Sequence, residues 1–236
     1  MENRIMLAGK SIKVDSLYFP LETQYPLYSD KSKEPDIDIP IKEEDIYYED
    51  DEMVEDNSLL NLERFAIHRK IAEAMLEYST FLMHGSVIAT DKDHAYMFTA
   101  PSKTGKSTHT KLWLDNLPSS FVVNGDKPLL KVESNQVLAC GTPWCGKEGW
   151  NTNCMVPLKG IVILERDDNN SIEEIPFIEA FPNILIQTYR PNDSEKMKKI
   201  LSLLKEMSKS IKFYKMKMNN YKEDAFITSY NALTAL

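Results

Sequence analysis

The run Ala100-Pro101-Ser102-Lys103-Thr104-Gly105-Lys106-Ser107-Thr108-His109 carries the residue types that grip phosphate. An apolar stretch, Tyr96-Met97-Phe98-Thr99, leads into it, and a helix-compatible segment follows. The order strand, tight loop, helix turns successive backbone N–H groups and a helix N-terminus toward one anion. In the pattern G-x-x-x-x-G-K-[ST], the lysine, here Lys106, reaches the β- and γ-phosphates, and the hydroxyl, here Ser107, holds Mg²⁺. Ser102, Lys103, Thr104, Gly105, Lys106, Ser107 and Thr108 are therefore candidate nucleotide-binding residues, with ATP and Mg²⁺ as the expected ligands. Two positions depart from the pattern. Ala100 replaces the first glycine, adding one methyl that fits if its φ is negative. Lys103 stands where many such loops carry glycine. A chance Gly-Lys-Ser in a surface turn is the plain alternative, and the flanking strand and helix favour the loop.

Four more segments could converge on the phosphates. His84, in Met83-His84-Gly85, is either a hydrogen-bonded core histidine or a site residue, since the glycine beside it permits close backbone approach. Asp126, in Asn124-Gly125-Asp126-Lys127-Pro128, follows an apolar strand about 20 residues beyond the loop, where a carboxylate linked to Mg²⁺ belongs. It would hold the metal or take the proton of an attacking hydroxyl. A plain hairpin turn is the alternative, because Asn-Gly-Asp also suits one. The segment 140–153 packs three glycines and two tryptophans among polar groups, as a binding loop does, and Lys147 is its candidate γ-phosphate clamp. A self-packed surface loop would look similar. Arg190, held extended before Pro191, could stabilise a transferring phosphoryl group or form a surface ion pair.

The elements that must position these residues follow from periodicity. Residues 5–7, 11–14 and 36–41 read as short strands, with a turn at Gly9 and Pro40 marking an edge. Residues 43–56 hold nine acids and read as a solvated connector. From Ser58, a fair N-cap, to about Tyr78 the apolar spacing is helical. Residues 81–89 form a nearly continuous apolar run, expected as one buried strand. Strands are expected at 96–99, 121–123, 129–132, 137–140, 160–164 and 211–218, and helices at 108–116, 178–189, 194–208 and 222–232.

Composition narrows the classes. The 236 residues suffice for one large domain, or one with an appended lobe, and 42% are hydrophobic. A net charge of −8 argues against a nucleic-acid or anionic-membrane partner. The first ten residues lack the apolar core of a signal peptide, and no apolar run reaches the roughly 18 residues of a membrane span, so the cytoplasm is the expected compartment. Cys140, Cys145 and Cys154 lack the spacing of a zinc site and read as free thiols.

Taken together, Met83-His84-Gly85-Ser86, the loop and Gly125-Asp126 resemble the HPr kinase/phosphorylase and phosphoenolpyruvate carboxykinase-like P-loop group, from about Leu59 onward. Asn124-Gly125-Asp126-Lys127-Pro128, Gly141-Thr142-Pro143-Trp144-Cys145-Gly146-Lys147 and Tyr189-Arg190-Pro191 are similar to segments of small bacterial HPr-kinase-like proteins. The resemblance implies an α/β fold: a mixed-sheet P-loop domain over 58–236, preceded by a small β-rich segment with its acidic connector over 1–57. It implies an ATP- and Mg²⁺-dependent kinase acting on a hydroxyl of a protein, peptide or small alcohol. In that reading Ser107 and Asp126 hold the metal, Asp126 and His84 activate the hydroxyl, and Lys147 and Arg190 neutralise the transferring group. HPr kinases assemble as oligomers, so self-association is a further expectation. Kinases of the group place two adjacent acids where this chain has Gly125-Asp126. That departure motivates a second reading, a non-catalytic nucleotide-binding regulator. A carboxykinase is the third, although 57 residues are too few for its large substrate lobe.

Overall fold

Ile5, Leu7, Ile12 and Val14 are buried in alternation with more exposed neighbours, which sets the register of the first two strands. In the computed structural model, which describes residues 1–32, 34–48, 58–219 and 223–234, β1 (Glu2–Leu7) and β2 (Lys10–Asp15) pair antiparallel with Ile5 opposite Ile12. Ala8 and Gly9, at φ +49° and +76°, make the tight turn between them. A one-turn helix, α1 (Leu21–Gln24), precedes β3 (Ile37–Pro40), which adds parallel to β2 at the sheet edge, where the missing N–H of Pro40 is tolerated.

The acidic run does not begin as an open connector. Its first residues form α2 (Glu43–Tyr47), where Asp45 accepts from the Lys42 N–H and pairs with Lys70 at 2.7 Å. Its later acids, Glu49, Asp50, Asp51, Glu52, Glu55 and Asp56, lie outside the described residues. Ser58 caps α3 (Leu59–Ala74), accepting from the Asn61 N–H. Glu63 on α3 is fully buried and accepts the N–H groups of Leu17, Tyr18 and Phe19. This ties the helix to the chain just after β2, and the compact units run Met1–Tyr78 and Ser79–Leu236.

In the second unit the elements run β4 (Thr80–Leu82), β5 (Ser86–Ala89), β6 (Ala95–Thr99), α4 (Lys106–Asn116), β7 (Phe121–Asn124), β8 (Leu129–Val132), β9 (Val137–Cys140), β10 (Met155–Arg166), β11 (Ser171–Ile175), α5 (Phe177–Gln187), α6 (Ser194–Met207), β12 (Lys212–Met218) and α7 (Glu223–Thr234). The sheet is mixed, with β6 and β12 flanking β10 in parallel and the remaining pairs antiparallel. One edge of β10 passes from β9 to β12, so the sheet branches there.

Trp113 of α4 and Phe226 of α7 pack with Phe98, Val162 and Met216 on one sheet face. Phe213, its side chain on the opposite face from Tyr214, stacks with Phe177 of α5 at 5.2 Å. Residues 81–89 are two strands rather than one. Between them the His84 N–H turns to Gln187 O and the Gly85 N–H to Asp126 O, so the chain leaves the ladder at Met83-His84-Gly85. β11 lacks a legible apolar period, with three of its five residues exposed, and its pairing with β12 is what makes it a strand. No helix among the described residues is long and apolar enough to cross a membrane.

Candidate functional site

Strand direction gathers the candidate residues. β6, β10 and β12 run parallel, and β7, antiparallel to β5, points the same way. All four end at one edge of the sheet, where β5 begins, and ligands of open α/β sheets bind beyond such carboxyl ends. A cavity of about 1020 Å³ lies there, at the upper end of the range for small-molecule pockets. The loop after β6 lines it through Ser102, Lys103, Gly105, Lys106, Ser107 and Thr108. His84, Gly125, Asp126 and Lys147 line it as well.

The loop has the expected form, with its two departures accounted for differently. Ala100 keeps a negative φ, and its methyl is buried in the core beside Phe98 and Trp113. Lys103 sits at φ +66°, the left-handed conformation that glycine adopts without penalty. Gly105, at φ +124°, caps α4 with no side-chain oxygen, so the first-turn N–H groups keep their capacity for an anion. The buried Lys106 ammonium donates to Ala100 O at 2.8 Å and Pro101 O at 3.3 Å. Burial lowers its pKa, Asp126 acts to raise it, and Lys127 adds to the lowering.

The Asp126 turn is built by a different kind of contact. β7 and β8 pair with other strands and not with each other, so Asn124-Gly125-Asp126 is no hairpin turn. The fully buried Asn124 holds it, since its Oδ1 accepts the N–H groups of Asp126 and Lys127, and its Nδ2 donates to Thr142 O and Oγ1, both at 2.9 Å. A Cβ on Gly125 would lie 2.8 Å from Cys145 O, so the 141–153 loop itself occupies the place of a second acid's side chain. Asp126 Oδ1 lies 3.2 Å from His84 Nε2, and Oδ2 lies 3.0 Å from Lys127 Nζ. Burial pushes this carboxyl up, but the His84 hydrogen bond and the Lys127 charge outweigh it and hold the pKa at about 2. Gln187 Oε1 lies 2.7 Å from His84 Nδ1, so both ring nitrogens face oxygens.

Two sequence-derived candidates stand apart. Arg190 is exposed and does not line the cavity. The adjacent Tyr189 N–H pairs with Leu82 O, which carries the chain past the site. Thr104 does not line the cavity either. Residues that sequence reasoning missed are Arg166, Asp167 and Asp168 at the end of β10, Met218 and Asn219 at the end of β12, and Glu148. A polar Arg-Asp-Asp closing an otherwise apolar strand was the available signal for the first three.

A phosphate-bearing ligand fits the uncapped helix start. Among the described residues no three His, Cys, Asp or Glu side chains form a metal cage. Mg²⁺ commonly takes one or two carboxylates together with phosphate oxygens. Ser107 and Asp126, both on the cavity wall, match that donor set in combination with a nucleotide.

No protein-family model and no curated protein sequence matches the chain. Among solved structures, the Hpr(Ser) kinase/phosphatase from Coxiella burnetii matches with a TM-score of 0.36 and 13% identity, over 64% of this chain and 95% of that one. A likeness at that score assigns neither a family nor an activity to this chain.

Proposed function

We propose that the protein binds ATP with Mg²⁺ and transfers the γ-phosphoryl group to a hydroxyl, either of serine or threonine in a protein or peptide or of a small alcohol. The observation that carries this reading is one cavity lined by the uncapped start of α4, Lys106 and the His84–Asp126 pair. The loop amides and Lys106 bind the β- and γ-phosphates, the ammonium exchanging its two loop carbonyls for phosphate oxygens. Ser107 and Asp126 hold the metal, which when bound neutralises charge on the β/γ oxygens. Asp126, ionised at neutral pH, orients the acceptor hydroxyl and takes its proton as oxygen attacks phosphorus and the β–γ bridging bond breaks. His84, fixed by Gln187, holds that carboxylate in place. Lys147, exposed on its loop at the cavity rim, neutralises the transferring group.

One observation favours the second reading, nucleotide binding without transfer. Both oxygens of Asp126 already have cationic or imidazole partners, and backbone fills the place of a second acid. Incubation with γ-labelled ATP, Mg²⁺ and a panel of Ser/Thr peptides and small alcohols separates the two. Label transfer that Asp126→Asn abolishes supports the kinase. Saturable binding with ATP left intact supports the regulator. Absence of binding overturns both.

A further inference from the structure

The phosphate loop carries a residue in a conformation its side chain disfavours, and an arginine from a neighbouring strand reaches that residue's carbonyl and the next. Lys103, at φ +66°, is one of three described non-glycine residues with positive φ, and the only one lining the cavity. Arg166 donates from Nη2 to Lys103 O and from Nε to Thr104 O at 3.2 Å. Its base is firm, because Arg166 is the last residue of β10 and sits opposite Met218 in the parallel ladder with β12. The next residue is fixed too, its N–H donating to Met218 O. On the inner side, Lys106 takes the carbonyls of Ala100 and Pro101. Before nucleotide arrives, two cations thus hold four carbonyls of one short loop; Lys106 gives up its two on binding, and Arg166 keeps the carbonyls of Lys103 and Thr104 turned away from the anion through the fixed fork of its guanidinium.

We propose that Arg166 is a positioning residue that holds the phosphate loop in its binding shape, supplying through a side chain what a glycine at position 103 would supply through backbone freedom. This rests on the reading of the loop as a nucleotide site. Without the clamp, a left-handed lysine is disfavoured, so the competent loop becomes a minor state and apparent affinity falls by the competent fraction. Glycine at 103 removes the disfavour, since it enters the left-handed region freely.

The test has one arm without nucleotide and one with it. In the ligand-free protein, trypsin cleavage of the Lys103–Thr104 bond, followed by mass spectrometry, is expected to be about tenfold faster in Arg166→Ala than in the parent, with Arg166→Lys between them. In the second arm, Arg166→Ala is expected to weaken Mg·ATP binding about tenfold, and adding Lys103→Gly to restore it to within about threefold of the parent. Unchanged cleavage in Arg166→Ala overturns the clamp whatever nucleotide does. Faster cleavage with no rescue by Lys103→Gly overturns its action through the left-handed residue. Faster cleavage in a protein that binds no nucleotide upholds the clamp and overturns the function proposed for the loop.

Discussion

Along one wall of the cavity, Ser102, Lys103, Gly105, Lys106 and Ser107 come from one short stretch of chain, exposed at Pro101–Lys103, with one left-handed lysine and a helix start open to anions. Along the other, residues 124–127 are set by distant partners: Thr142, Cys145, Trp144, Trp150, and Gly85 before β5. Chemistry held by neighbours in sequence stays adaptable and is tuned by a few cations. Chemistry held by long-range backbone contacts is rigid, and its loss is felt by the whole unit. The first wall should therefore fail in binding and the second in turnover and stability.

The largest expected effect lies on the rigid wall. Asp126→Asn keeps the shape and removes the charge, so the initial rate of phosphoryl transfer should fall by about 10²–10⁴-fold. A rate within about threefold of the parent would break the assignment of that wall to chemistry.

Acid titration sharpens the comparison, because Asp126 on the rigid wall and His109, in the core beneath the loop's helix, both have depressed pKa values. His109, in the first turns of α4, is fully buried against Phe98 and Ser229, and burial lowers its pKa to about 4. The unfolded histidine, near 6.5, binds a proton over a range where the folded one does not. Stability from this group is present above about pH 6.5 and is lost as pH falls toward about 4, by on the order of 3 kcal/mol. Asp126 acts in a lower window, its contribution being present above about pH 4 and lost as pH falls through about 2. Urea denaturation of the metal-free chain across pH should show the upper step in the parent and not in His109→Phe. An unchanged step in that variant would assign it elsewhere.

A smaller contrast comes from matched truncations. Asn124→Ala removes a buried group bonded to four partners and should cost about 1–3 kcal/mol in denaturant unfolding. Ser102→Ala, on the exposed loop, should cost less than about 0.5 kcal/mol. Equal costs would erase the distinction between the walls.

Legibility in the sequence follows the same division. The strand–loop–helix order could be read because the candidate residues are consecutive and the strand and helix around them carry their own periodicity. Even there, only the dihedrals show that Ala100 is accommodated while Lys103 is the residue needing support. Asp126 could be placed from the strand before it. Sequence could not show that Gly125 is required by Cys145 O, because those residues meet only through the fold. Arg166 was hidden for the same reason, since its partners lie more than 60 positions away. The run 81–89 has the composition of one strand, and the break at Met83-His84-Gly85 arises from partners on α5 and after β7. α3 reads as a plain amphipathic helix, and nothing in its periodicity shows that its buried Glu63 binds the chain before α1.

The central claim is that nucleotide binds at the loop and is gripped by Lys106. Thermal melting with and without saturating Mg·ATP, on the parent and on Lys106→Ala, tests it most directly. Ligand at about 100 times Kd adds roughly 2.7 kcal/mol, a rise of about 5–10 °C for a protein of this size. That rise is expected in the parent and its loss in Lys106→Ala. No rise in the parent, or an equal rise in both, would contradict it.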